Sequence, residues 1–318
     1  MSAVPPMMTA TLIICCHNPR PDYLGRVLES LRFQTLPRDC WEIILVDNAS
    51  REPLCPSWDL SWHPHARHVH EGELGLSAAR RRGMLEANAD ILLFVDDDNV
   101  LAPDYLLEGL RIARNWPQLG TWGSANIVPE FEVQPAERLT PLLHLLAIRE
   151  VEAARWTNFV QWEACPWGAG MFLRRSVADA YRKMSDSEGL QISDRQGTSL
   201  MSGGDAELSY VACSMGLGIG IFPELKVTHL IPKERVTGEY LLRLHEAIRV
   251  STKLLDYKWK QDPLIVRSFF SGKLSVIKNL ILMRGLERQL YFCELRADKK
   301  FLAIVDSLDR GDGRDFPT

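Results

Sequence analysis

The feature that most constrains this chain is Ile91-Leu92-Leu93-Phe94-Val95 followed at once by Asp96-Asp97-Asp98-Asn99. Five successive apolar residues without helical spacing read as a strand buried on both faces, as in a sheet covered by helices. Three carboxylates then arrive at the C-terminal end of that strand, the edge of an open α/β sheet where ligands bind. Like charges this close repel and raise each other's pKa, so the cluster is costly unless a cation sits among them. In an extended chain Asp96 and Asp98 point one way and Asp97 the other. A divalent metal could then join Asp98, with or without Asp96, to substrate phosphates. The plain alternative is a solvated acidic turn ahead of a helix begun by Pro103-Asp104.

The preceding chain repeats the same alternation of strand and helix. Thr11 to Cys16 is β-prone and is ended by His17-Asn18-Pro19. A helix follows with Leu24, Val27, Leu28 and Leu31 on its core face, then a second buried strand, Trp41 to Val46, closed by Asp47-Asn48. A right-handed βαβ unit of this kind puts His17, Asn18 and Asp47 on one edge of the sheet. A third strand is expected over Ala66 to His70. The next helix is expected to be N-capped by Ser77 and to carry Arg80, Arg81 and Arg82 in its first turn, where cations oppose the helix dipole unless an anion is near. Arg81 and Arg82 read as a solvated face.

With 318 residues, 46% of them hydrophobic and 25% charged, the chain is long enough for one large or two modest domains. A net charge of -4 argues against a general nucleic-acid binder. Seven cysteines without a C-x-x-C pair fit neither a disulfide framework nor a zinc site, and a reducing, cytoplasmic setting is expected. Met1 to Cys16 has no basic residue ahead of its apolar run and reads poorly as a signal peptide. No window reaches the roughly 18 uninterrupted apolar residues of a membrane span.

Four segments taken together carry a family resemblance. Cys16-His17-Asn18, Leu45-Val46-Asp47-Asn48-Ala49-Ser50, Gly75-Leu76-Ser77-Ala78-Ala79-Arg80 and Phe94-Val95-Asp96-Asp97-Asp98 resemble, in order and spacing, the family 2 glycosyltransferases of the GT-A fold. The resemblance implies an α/β, Rossmann-like, mostly parallel sheet flanked by helices, here as a domain over residues 1–236. It also implies an inverting transfer from a nucleotide-diphosphate sugar, with uridine the family's common base, to a glycan or lipid-linked acceptor. On the donor side it places His17, Asn18 and Asp47 at the nucleoside, and Arg80, Asp96 and Asp97 toward the rest of the donor. Mn²⁺ or Mg²⁺ would be held by Asp98, with Asp96 and with His229 of Val227-Thr228-His229. On the acceptor side, Pro166 to Arg175 resembles the family's Gly-rich segment, giving Trp167 and Gly168. Gly203-Gly204-Asp205-Ala206-Glu207 resembles the motif that usually reads Glu-Asp before a helix. Gly204 stands where a glutamate is common, which leaves Asp205 as the candidate base and Glu207 as a further acceptor-side carboxylate.

Residues 237–318 read as a C-terminal helical region. Leu241, Leu244, Ile248 and Leu255 share one helical face, and Ile265, Phe269, Val276, Leu280 and Met283 another. Ten Lys or Arg and four Asp or Glu lie between Lys258 and Lys300, with Arg267, Lys278 and Arg288 opposite the second stripe. Two readings stay open: a packed appendage with a solvated basic face, or peripheral contact with an anionic membrane surface on the cytoplasmic side. Among rival functions, a nucleotidyltransferase would need a glycine-rich loop after the first strand, and a nicotinamide dehydrogenase a G-x-G-x-x-G. Neither is present. A catalytically silent nucleotide-sugar-binding or scaffold protein is the rival from another class.

Overall fold

The computed structural model describes residues 8–185, 194–197, 199–260 and 283–309. In chain order the elements are β1 (Ala10–Cys16), α1 (Pro21–Arg32), β2 (Trp41–Asn48), the short α2 (Leu54–Ser57), β3 (Ala66–Glu71), α3 (Leu76–Glu86), β4 (Ile91–Asp96), β5 (Asn99–Leu101) and α4 (Tyr105–Asn115). Then come β6 (Leu119–Phe131), a 3₁₀ segment (Glu137–Leu146), β7 (Arg149–Glu150), β8 (Arg155–Thr157), β9 (Met171–Arg174), α5 (Arg175–Ser185) and α6 (Gly204–Ser214). The described chain ends with β10 (Gly218–Ile231), a 3₁₀ turn (Lys233–Val236), α7 (Gly238–Lys260) and α8 (Gly285–Asp309).

The ten strands among the described residues form one sheet, ordered β3-β2-β1-β4-β9-β6-β10-β5, with β7 beside β6 and β8 beside β10. Parallel pairing joins β3 to β2, β2 to β1, β1 to β4, and β6 to β10. Antiparallel β9 sits between the two parallel blocks. This is the mostly parallel, helix-flanked sheet expected from the alternation of elements. The central strands β1, β2 and β4 bury Leu12, Ile13, Ile14, Ile43, Ile44, Leu45, Leu92, Leu93 and Phe94 almost completely, which is why they read as unbroken apolar runs. On α1, Leu24, Val27, Leu28 and Leu31 are the buried face, as their spacing requires. At the N-terminal edge of the same strands, Glu42 is held by Thr11, Asn88 and Arg67.

Register sets the height of the other edge. Cys16 pairs with Asp47 across β1 and β2, and Cys15 with Asp96 across β1 and β4. The ends of three adjacent strands are therefore level there. Two local expectations differ. The second strand runs on through Asp47 and Asn48, because β3 continues beside it as far as Glu71. The N-cap of α3 is Gly75, at φ 140°, with Ser77 already inside the helix. Only glycine adopts that backbone at low cost, and Arg80 falls beyond the first turn.

Two compact units are distinguished. The first gathers the described residues up to Glu132, from Ala147 to Ser185, and Asp205–Ile231, and so holds the whole sheet. The second joins α7 and α8 to Val133–Leu146 and to residues 194–204. It does not follow a single cut after residue 236, because segments well upstream belong to it.

Within the second unit, Leu241, Leu244, Leu254 and Leu255 of α7 are buried, as are Cys293, Ala297, Phe301 and Val305, four residues apart on α8. Glu246 accepts from Arg296 at 2.7 Å and Lys300 at 2.6 Å, and Asp298 pairs with Lys253 at 2.6 Å. Part of the C-terminal basic surplus is thus spent inside this helix pair. Arg288 is exposed. Ile265, Arg267, Phe269, Val276, Lys278 and Leu280, on which the membrane-surface reading rests, lie outside the described residues. No helix among the described residues is long and apolar enough to cross a membrane.

Candidate active site

The site lies at the C-terminal edge of the sheet. His17 donates from Nδ1 to the carbonyl of Asn48 at 2.7 Å, so its Nε2 receives the side-chain amide of Asn18 at 2.8 Å. Asn18 in turn accepts from the Arg51 amide at 2.9 Å. Asp47 takes the amides of Ser50 and Leu54, both at 3.1 Å, one on each oxygen. Burial pushes its pKa up, but those hydrogen bonds outweigh it and hold the carboxyl below its ordinary value. His17, Asn18 and Asp47 thus share one rim and brace its loop. Asn48 extends the brace, donating to the Glu73 carbonyl at 2.6 Å and accepting from Gly75 at 2.8 Å, just where α3 begins.

The three consecutive carboxylates part company. Asp96 ends β4, but Asp97 and Asp98 form a turn into β5, so the alternation of an extended strand does not govern them. Asp96 faces Arg80 at 3.5 Å. Asp98, 7% exposed, turns away to His229, whose Nε2 lies 3.4 Å from its Oδ2. Strand pairing causes that meeting. β5 runs antiparallel to β10 and sets His229 opposite Asn99, next in sequence to Asp98. His229 lies third from the C-terminal end of β10, a strand of 14 residues. Asp97 is half-buried at the rim.

A divalent metal was expected on Asp98, Asp96 and His229. Among the described residues no three His, Cys, Asp or Glu side chains form a metal-holding group, and Asp96 is directed at Arg80. The Asp98–His229 pair does fit a shared metal. Neighbouring ligands around an octahedral ion with bonds of ~2.1 Å stand about 3 Å apart, and a carboxylate with an imidazole leaves the other positions to water and substrate phosphates.

Residues expected on the acceptor side meet at one glycine. The amide of Gly168 donates to Asp205 Oδ2 at 2.8 Å, and the Ala206 amide to Oδ1 at 2.7 Å. On the other side, a Cβ at Gly168 would stand 2.2 Å from Arg80 Nη2. Only a residue without a side chain lets Arg80 and Asp205 approach the same peptide. Arg80 itself is 5% exposed and lies 5.2 Å from the Phe94 ring centroid. Trp167 is half-buried beside Gly168. Glu207, also expected on the acceptor side, is 2% exposed within α6; one helical residue beyond Ala206, it points into the protein. Sequence reasoning missed Arg149 of β7, whose guanidinium lies 3.6 Å from the Trp167 ring centroid and donates to the Cys165 carbonyl at 3.0 Å.

The sheet edge thus carries level strand ends, a split carboxylate cluster, and an acid and a cation that approach one glycine. The chain belongs to glycosyl transferase family 2, whose family model matches residues 11–181, more than half of its length. A putative glycosyltransferase, EpsH of Bacillus subtilis (strain 168), is 31% identical over 124 residues, 38% of this chain. The match spans about a third, 34%, of that relative's length. Among solved structures, mannosyltransferase PcManGT of Pyrobaculum calidifontis, in complex with GDP-Man and Mn²⁺, has TM-score 0.58 at 16% identity, covering 95% of this chain and 90% of that one. S. aureus TarS 1-349 with UDP-GlcNAc has TM-score 0.52 at 13% identity, covering 96% and 92%. GalNAc-T7 with UDP, GalNAc and Mn²⁺ has TM-score 0.51 at 16% identity, covering 86% and 54%. At these identities the likeness to solved structures is one of fold.

Proposed function

We propose that the chain transfers a sugar, with inversion, from a nucleoside-diphosphate donor to a hydroxyl acceptor. The observation that carries this reading is the contact of one peptide, Gly168, with both Arg80 and Asp205. A cation suited to a leaving diphosphate and a carboxylate suited to an incoming hydroxyl then flank one point, as an in-line displacement requires.

In this reading the nucleoside sits along His17, Asn18 and Asp47, and the diphosphate crosses the β4 edge toward Asp98. Arg80, kept in place by Asp96, offers guanidinium hydrogen bonds to the phosphate oxygens. Asp98 and His229 would hold Mn²⁺ or Mg²⁺, which when bound stabilises the charge of the departing diphosphate as a Lewis acid. Asp205 accepts the proton of the acceptor hydroxyl as that oxygen attacks the sugar's anomeric carbon from the opposite face. Its orientation is fixed by the two amides it accepts. Trp167 offers an apolar face to a sugar ring. GDP-Man, UDP-GlcNAc and UDP bound to the fold relatives support a nucleotide sugar as donor, and Mn²⁺ in two of them supports metal assistance. The acceptor is a glycan or a lipid-linked saccharide, and the protein works on the cytoplasmic side.

The test is a thermal-shift panel of nucleotide sugars with and without Mn²⁺ on the native chain and on Asp98→Asn. A donor at a hundredfold excess over its dissociation constant should add about 2.7 kcal/mol of stability. The native chain should show that shift only with metal, and Asp98→Asn should lose it while melting normally in buffer. An equal, metal-dependent shift in Asp98→Asn would remove Asp98 from the site. Binding of a nucleotide sugar with no release of nucleoside diphosphate would favour the silent binding protein.

A further inference from the structure

Arg149 is 9% exposed. Buried cations are ordinarily paired with a carboxylate, since removing the charge from water is expensive. Arg149 breaks that pattern. Its hydrogen bond goes to a neutral carbonyl, that of Cys165, and its face lies against Trp167. Among the described residues no carboxylate stands within ion-pair distance of it. Asp205 is near enough to favour the charged form, yet both its oxygens already receive amides, from Gly168 and Ala206. Burial lowers the pKa of Arg149, but only to about 10, so the guanidinium stays protonated at neutral pH. A nearly buried positive charge therefore stands on the acceptor side, next to the stacking ring and the candidate base, with guanidinium N–H groups left over.

Resting on the acceptor reading above, we propose that the acceptor carries an anionic group, a phosphate ester or a carboxylate, close to its nucleophilic hydroxyl, and that Arg149 binds that group. The guanidinium fork matches two oxygens of such an anion. Trp167 takes the apolar body of the acceptor, and Asp205 its hydroxyl. The substrate thereby supplies the counter-charge that the fold omits. The donor's diphosphate is the other anion in the site, but its cations are on the β4 edge, at Arg80 and the Asp98–His229 pair.

Matched probes test this on the full chain: glycerol phosphate against glycerol, each titrated in the presence of UDP and Mn²⁺, with UDP titrated separately. The native chain should bind glycerol phosphate at least about tenfold more tightly than glycerol, as loss of a charge-assisted hydrogen bond would imply. Arg149→Met should erase that preference, Arg149→Lys should keep part of it, and UDP affinity should stay within about twofold. Equal binding of the two probes by the native chain overturns the proposal whether or not Arg149→Met folds. So does a preference that survives Arg149→Met. A tenfold loss of UDP affinity in Arg149→Met would assign the cation to the donor and likewise overturn it. Failure of the native chain to bind UDP would contradict the donor reading instead, and the glycerol phosphate titration could still be read without nucleotide.

Discussion

Glu42 shows how single residues divide the labour between the two edges of the sheet. At 2% exposure it accepts from Thr11 Oγ1 at 2.6 Å, from the Asn88 amide at 2.6 Å and side chain at 2.9 Å, and from Arg67 at 2.6 Å. Burial by itself would raise its pKa, but these donors prevail and hold it below the ordinary 4.5. A depressed folded pKa means that the unfolded chain takes up the proton first as pH falls. The stabilisation is complete above about pH 4.5 and disappears as pH drops through the folded value. Glu42→Gln should therefore cost about 1–3 kcal/mol at pH 7 and flatten the acid side of the melting-temperature profile. A full acid dependence retained in that variant would show that other groups carry it. At the opposite edge lie the polar residues proposed to meet the donor. The candidates for that role cluster in a way that was legible in the sequence, because strand ends and short motifs are local: His17, Asn18, Asp47 and Asp96 come from adjacent strand ends. What the three consecutive aspartates face was not legible. Asp98 meets His229 through a pairing of strands more than a hundred residues apart, and Arg149 meets Trp167 through a strand of two residues, too short to leave any pattern.

At the scale of elements, local rules failed where tertiary geometry overrode them. The alternation that would aim Asp96 and Asp98 together holds only in extended chain, and the turn at Asp97-Asp98 cancels it. Ser77 is a good capping residue, but Asn48 already fixes Gly75 by hydrogen bond and moves the helix start upstream. The Gly-rich segment before β9 was legible as a place of close backbone approach. That the approaching groups are Arg80 and Asp205 follows only from packing. Gly168→Ala gives the sharpest test at this scale. A methyl 2.2 Å from the Arg80 guanidinium must push either the side chain or the peptide aside. Since a misplacement of about 1 Å can cost on the order of a hundredfold in rate, transfer should fall by about that factor. The melting temperature should change by only a few degrees. Normal kcat and KM in Gly168→Ala would mean that the close approach has no catalytic part.

For the whole molecule, the catalytic reading rests on the first compact unit, which holds the sheet and each residue assigned a role. The helical nature of the C-terminal region was legible from its apolar spacing, whereas the recruitment of Val133–Leu146 and residues 194–204 to the same unit was not, because long-range packing decides it. The central claim is that this chain performs sugar transfer with Asp205 as base, and release of nucleoside diphosphate at saturating donor and acceptor measures it most directly. Asp205→Asn keeps the shape, but its amide can accept only one of the two backbone N–H groups, so about 0.5–1.5 kcal/mol of stability should be lost. Donor affinity should be unchanged, because the base acts on the acceptor. Release should fall by about 10²–10⁴-fold. Near-normal release from a folded, donor-binding Asp205→Asn protein would contradict the claim.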